Sequence, residues 1–146
     1  DAVNIGNHEL YKNSTIEFIT KPNGFVDSWG GRYLTTNVLL HETGSPIGER
    51  YRFVYAPFSD KTILTFGFLF DFERNCRMTE VQKVEEVVQS QWFQSVLSKA
   101  EGGFDAIMVL AHMGYSDPLV EVILHRIREI CGDKMPVQFI TGHTHI

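Results

Sequence analysis

Cysteine is nearly absent. The chain carries two, Cys76 and Cys131, with no C-x-x-C spacing. That excludes a disulfide framework and a thiolate metal site, and leaves two free core thiols or at most a single bridge. No apolar run approaches the roughly 18 residues of a membrane-spanning helix, so nothing reads as a span. No basic block appears either: 13 Lys+Arg stand against 18 Asp+Glu, for a net charge of −5. A nucleic-acid polymer is therefore not an expected partner. Internal repeats and low-complexity segments are missing. So are an initiator methionine and a leader: the chain opens at Asp1 on a strand-like run and stops one residue after His145. It reads as an excerpt of a longer protein, and missing targeting signals exclude no compartment.

What is present is core material. Eleven Phe, five Tyr and two Trp in 146 residues suffice for one packed domain or part of one. Three stretches share one build, an apolar strand running into small residues and then ligand-type side chains. Ala2 to Ile5 leads into Gly6-Asn7-His8-Glu9. Ala106 to Leu110 leads into Ala111-His112-Met113-Gly114. Val137 to Ile140 leads into Thr141-Gly142-His143-Thr144-His145.

Between these stretches the pattern predicts a sheet covered by helices. His8 to Ile19 is expected to begin a helix, although Asn13, Ser14 and Thr15 weaken it. Asn13-Ser14-Thr15 also fits the N-x-[ST] glycosylation pattern, which arises often by chance. Lys21-Pro22-Asn23-Gly24 is turn chemistry, with Gly24 free to take positive φ, and Asp27 to Gly31 reads as loop. Tyr33 to Leu40 reads as one strand. Tyr51 to Tyr55 alternates like a half-exposed strand, and Thr62 to Phe70 suits a central one, with a hairpin at Ser59-Asp60-Lys61 between them. Thr79-Glu80-Val81-Gln82 matches a capping box, predicting a helix from Thr79 that breaks near Ser90. Asp117-Pro118 predicts a second helix with its apolar face from Leu119 to Ile130. The second half thus alternates helix and strand, which argues for a partly parallel sheet whose ligands gather at the carboxyl ends of its strands.

His143 and His145 are two apart, so on an extended segment they share a face and suit one metal or two adjacent ones. His112 and Asn7-His8 after other strands reinforce that reading, and Asn supplies a neutral oxygen for a hard cation. The remaining candidates have plainer explanations. His41 and His125 fit solvated positions, Asp71, Glu73 and Asp117 fit turn or helix caps, and Trp29 and Trp92 fit core positions.

Gly6-Asn7-His8-Glu9, His112 with Gly114, and Gly142-His143-Thr144-His145 resemble, in order, the later motifs of the calcineurin-like metallophosphoesterases. Tyr33 to Val38 is similar to a segment of the 5′-nucleotidase branch, and Phe66 to Phe72 to fungal 5′-nucleotidase-like proteins. The resemblance implies an α/β fold, an αββα sandwich with mixed β-sheets. It also implies that residues 1–146 are a single catalytic-domain fragment, incomplete at both ends. It implies a dinuclear site with two divalent metal ions (Zn, Mn, Fe or Ni). Asn7, His112 and His143 would bind one ion, and His145 would help to bind the other. His8 would not be a ligand but would face the phosphate as the catalytic residue, stabilising or protonating the leaving oxygen. The implied activity is phosphomonoester hydrolysis, most like a 5′-nucleotidase, with a metal-bound hydroxide attacking phosphorus in line. The implied partner is a small phosphate ester such as a nucleotide, and the implied setting is extracytoplasmic or vacuolar.

The chain departs from the family pattern in three places. The opening Asp-x-His and Gly-Asp motifs are absent, and Asp1 lies at the wrong end of its strand to replace them, so the segment alone is expected to be inactive. The C-terminal substrate domain of 5′-nucleotidases is absent too. Tyr11 stands where many 5′-nucleotidases carry an Asp that orients the histidine. A phosphodiesterase of the same superfamily, a catalytically silent family member used for binding, and a structural zinc protein are the alternatives. The last is disfavoured because structural zinc sites use cysteine.

Overall fold

In a computed structural model describing residues 1–144, a four-stranded mixed sheet is the central element. It is built from β4 (Tyr51–Ala56), β5 (Lys61–Leu69), β7 (Ala106–His112) and β8 (Val137–Thr141), in the order β4-β5-β7-β8. β4 and β5 form an antiparallel hairpin, whereas β5, β7 and β8 run parallel. Two smaller sheets complete the strands. β1 (Val3–Asn4) pairs in parallel with β2 (Tyr33–Leu34), and β3 (Val38–Leu40) pairs antiparallel with β6 (Thr79–Val81).

Period-two patterning decides which residues face which layer. Leu64, Phe66 and Phe68 of β5 and Ile107, Val109 and Ala111 of β7 are buried against the helices α3 (Val84–Gln89), α4 (Gln91–Leu97) and α5 (Pro118–Cys131). Each fully buried Phe there contributes roughly 1.5–3 kcal/mol. The alternate residues of both strands face β1 and β2. Beyond these lies a second core around Ile5, Leu10, Ile16 and Ile19, which packs α1 (Asn13–Thr20) and α2 (Phe25–Ser28) onto the smaller sheets. The layers are thus helix, sheet, sheet, helix, the αββα arrangement of mixed sheets that the motifs imply. Among the described residues no helix is long and apolar enough to cross a membrane.

Helix boundaries follow local chemistry. The Asp117 carboxylate accepts the Leu119 N–H at 2.9 Å and Pro118 opens α5, as the sequence predicts. Ser90 divides α3 from α4, and its hydroxyl accepts the Phe93 N–H. The capping box at Thr79 is overturned, because Thr79–Val81 is a strand paired with β3. Helix α3 starts later, at Val84, whose N–H is capped by Asp71 from 13 residues upstream at 2.8 Å.

Other expectations are corrected as well. Asp27 and Ser28 belong to the short α2 rather than to a loop. Asn23, not Gly24, takes the positive φ of the 21–24 turn. Asn13, whose N-x-[ST] match reads as chance, is half-buried at the start of α1. Cys76 and Cys131 are free thiols, in agreement with the first of the two sequence readings.

The predicted strand Tyr33 to Leu40 is two strands split at Thr35-Thr36-Asn37. All three of these residues are fully buried, and their side chains replace a backbone ladder. β5 runs three residues past Phe66, the partner of Tyr51 at the start of β4. On that free edge the Gly67 N–H donates to Thr36 Oγ1 at 2.8 Å. The Leu69 N–H donates to Asn37 Oδ1 at 2.9 Å, and Asn37 Nδ2 donates back to the Leu69 carbonyl at 2.8 Å.

The two sheets approach most closely at Gly67. A Cβ there would lie 2.5 Å from Leu34 Cβ and 2.6 Å from Asn4 Oδ1. Gly67→Ala is therefore expected to push β1 and β2 off the central sheet and to cost about 1–3 kcal/mol. Urea unfolding measures that loss, and wild-type stability in the variant would contradict the close approach.

Candidate metal centre

The site forms where the carboxyl ends of β1, β7 and β8 meet. Asn4 bridges the sheets, its Nδ2 donating to the Phe68 carbonyl at 2.8 Å and the Leu110 carbonyl at 3.2 Å. That sets the exit of β1 beside the exit of β7. The chain then turns through a single 3₁₀ turn, Asn7–Leu10, whose entry is held by the Gly6 N–H donating to the Glu9 carboxylate at 2.9 Å. Glu9 has a second effect. Burial first, and then the nearby Glu9 carboxylate, push the Tyr33 phenol well above its ordinary range, so it stays protonated.

Asn7 is buried at 4 % exposure and points at β7. Its Oδ1 lies 3.0 Å from His112 Nε2, and the same Nε2 lies 3.2 Å from His143 Nδ1. One amide oxygen and one imidazole nitrogen, from two remote segments, thus both approach His112 Nε2 on a third. The 142–143 turn is clipped in place by the Gly142 N–H, which meets the carbonyls of Ala111 and Met113 at 3.1 and 3.3 Å. His143 itself sits at φ 75°, a left-handed conformation costing a non-glycine residue about 1–3 kcal/mol. β8 ends at Thr141, so the segment is not extended at His143. The shared-face expectation for His143 also involves His145. His145 lies outside the described residues.

The donor set fits a divalent cation. Donors about 2.0–2.2 Å from a zinc-type ion stand about 3.0–3.5 Å from one another, and the observed separations of 3.0 and 3.2 Å match. Imidazole with a neutral carbonyl oxygen is suitable chemistry for such an ion. Three donors make a partial shell. Among the described residues, no group of three His, Cys, Asp or Glu side chains converges on a metal position.

His8 is exposed and lies outside this trio. Its ring meets Tyr11 edge-on at 5.6 Å. The Tyr11 hydroxyl accepts from Asn7 Nδ2 at 3.0 Å. Phe72 packs edge-on against Tyr11 at 5.4 Å and against Phe70 at 5.6 Å, and the Phe70 ring faces His143 at 4.7 Å. His8, Tyr11, Phe70, Phe72, Arg74 and His143 all line one open cleft of about 550 Å³ beside the trio.

Sequence reasoning misses Phe70 and the Tyr11–Asn7 bond. Both had a signal: Phe70 follows another strand ending at the same edge, and Tyr11 stands four residues after Asn7, within reach across one turn. Of the remaining candidates, Asp71 and Glu73 also line this cleft, where Glu73 pairs with Lys83 at 2.8 Å. His125 is a surface residue 3.2 Å from Glu129, and Trp92 stacks on Tyr51. Asp1 is exposed at the opposite end of β1, with Arg32 its ion-pair partner at 4.0 Å.

These features agree with comparison to known proteins. The calcineurin-like phosphoesterase family model matches residues 2–146, and the chain belongs to that family. Proteins of this family generally use divalent metal ions. Over its whole length the chain is 31% identical to an uncharacterized protein of Schizosaccharomyces pombe and 32% identical to a secreted protein of Arthroderma benhamiae. It covers 24% and 22% of those relatives, so it spans about a quarter of their length. Among solved structures, it is similar to the 5′-nucleotidase of Candida albicans, with a TM-score of 0.85 and 29% identity. There it covers all of this chain and 27% of that one.

Gly6 has no side chain where His112 needs room: a Cβ would lie 3.0 Å from His112 Cε1 and 3.1 Å from Glu9 Oε2. Gly6→Ala is expected to shift the His112 ring resonances in an NMR spectrum and to leave those of surface His125 unchanged. An unmoved His112 spectrum would refute this packing.

Proposed function

We propose that this chain is the later part of the catalytic domain of a metal-dependent phosphomonoester hydrolase of the 5′-nucleotidase type. The carrying observation is the approach of Asn7 Oδ1 and His143 Nδ1 to His112 Nε2, at 3.0 and 3.2 Å. The likeness to the Candida albicans 5′-nucleotidase supports the substrate class. In this reading Asn7, His112 and His143 hold one of two divalent ions. His145 is assigned to the second, whose other ligands belong to a preceding part of the parent protein. Bound ions would supply Lewis acidity for activating water and for taking up phosphoryl charge.

The chain's own residues do the rest. The cleft admits a phosphate ester beside the trio, and His8, exposed on its wall, delivers a proton to the leaving oxygen. Phe70 and Phe72 give the cleft an apolar flank that sheds water and can meet a planar leaving group. The named secreted relative supports an extracytoplasmic or vacuolar setting for the parent protein.

The test uses the full-length protein on nucleoside monophosphates and on cyclic phosphodiesters. Turnover of monoesters is expected; turnover of diesters alone would make it a phosphodiesterase, and none at all a silent binder. His112→Ala should strip metal and lower turnover together. His8→Ala should keep its metal and lower kcat by about 10²–10⁴-fold, the usual scale of a lost proton donor. Equal metal loss in both variants would abolish the separate roles.

A further inference from the structure

Tyr11 is oriented unlike an ordinary surface tyrosine. The residue is 41% exposed, yet its hydroxyl turns to meet the amide of buried Asn7. A surface tyrosine normally keeps its ring inside and its hydroxyl wet. That hydroxyl has a specific partner, Asn7 Nδ2 at 3.0 Å, and the other end of that amide is the oxygen facing His112 at 3.0 Å. The amide is thus held at both ends.

A hydroxyl can donate or accept, so it fixes the plane of the amide rather than which end points inward. A cation, which only the oxygen can bind, selects the end. Phe72, itself buried, packs edge-on against the Tyr11 ring and keeps it from swinging away. Tyr11 also meets the His8 imidazole edge-on. One side chain therefore touches both the proposed ligand and the proposed proton donor.

From this geometry we infer that Tyr11 is a positioning residue, its hydroxyl aiming the Asn7 oxygen at the ion and its ring confining the His8 imidazole. The inference rests on the proposed phosphoesterase reading and extends it to a residue that itself binds neither ion nor phosphate. The two roles reside in different atoms, so they separate by substitution. Tyr11→Phe removes the hydroxyl and keeps the ring; Tyr11→Ala removes both.

The experiment measures binding of Co²⁺ to metal-stripped full-length protein, together with kcat and KM at saturating ion. Tyr11→Phe is expected to weaken Co²⁺ binding about 10-fold, the lower end for loss of a group that orients a ligand, and to lower kcat less than Tyr11→Ala does. Tyr11→Ala should weaken binding equally and lower kcat further. Should Tyr11→Ala fold poorly by circular dichroism, Tyr11→Leu carries that arm. In an Asn7→Ala background, Tyr11→Phe should have no added effect on Co²⁺ affinity, since contacting residues couple.

Wild-type Co²⁺ affinity in Tyr11→Phe, or an undiminished effect in the Asn7→Ala background, overturns the hydroxyl's role while leaving the function intact. A kcat in Tyr11→Ala equal to that of Tyr11→Phe overturns the ring's role. Failure of the unaltered full-length protein to bind any divalent ion removes the functional reading, and this inference with it.

Discussion

The site depends on one amide wedged between two sheets. Asn4 Nδ2 reaches carbonyls on both β5 and β7, and it does so only because Gly67 leaves the space a side chain would fill. Buried polar groups are costly unless bonded, so this contact has a narrow range of workable positions. That narrow range locates the end of β1 over the end of β7. Asn7 follows within three residues, and so its oxygen meets His112. Without the wedge the smaller sheet could slide, and donors from three segments would have no reason to coincide.

Around this fixed point the protein distributes stiffness unevenly. Asn7 is buried and bonded at both ends of its amide. His143 is exposed and held on a strained backbone, flanked by Phe70 and clipped through Gly142. His8 touches the aromatic wall only at its edge. The contrast runs from a buried amide to an exposed imidazole bounded by one ring, in keeping with the proposed division between holding an ion and moving a proton. The aromatic chain from Tyr11 through Phe72 and Phe70 to His143 links the two sides of this contrast with apolar rings.

Much of this was legible in the sequence, because the signals were local. Apolar runs ending in Gly6-Asn7-His8, His112 and Gly142-His143 marked strand ends, and the parallel order brought those ends to one edge. Asp117-Pro118 and Ser90 marked helix boundaries through chemistry that acts over a few residues. What escaped was non-local. Thr79 matched a capping box, yet pairing with Leu40 made it a strand. Asp71 caps a helix 13 residues away, which no short window registers. Thr36 and Asn37 look like strand residues by propensity, but their side chains substitute for a missing strand on the edge of β5. Tyr11 looked like the loss of an orienting carboxylate; only coordinates reveal its hydroxyl bound to Asn7.

The bond between Asn7 and His112 joins residues 105 positions apart. Closing so long a loop is entropically unfavourable until the intervening sheet has formed. An emerging or half-assembled polypeptide therefore carries only scattered imidazoles, none of them a competent cage. The proposed centre thus requires that the sheet carrying its residues already be in place.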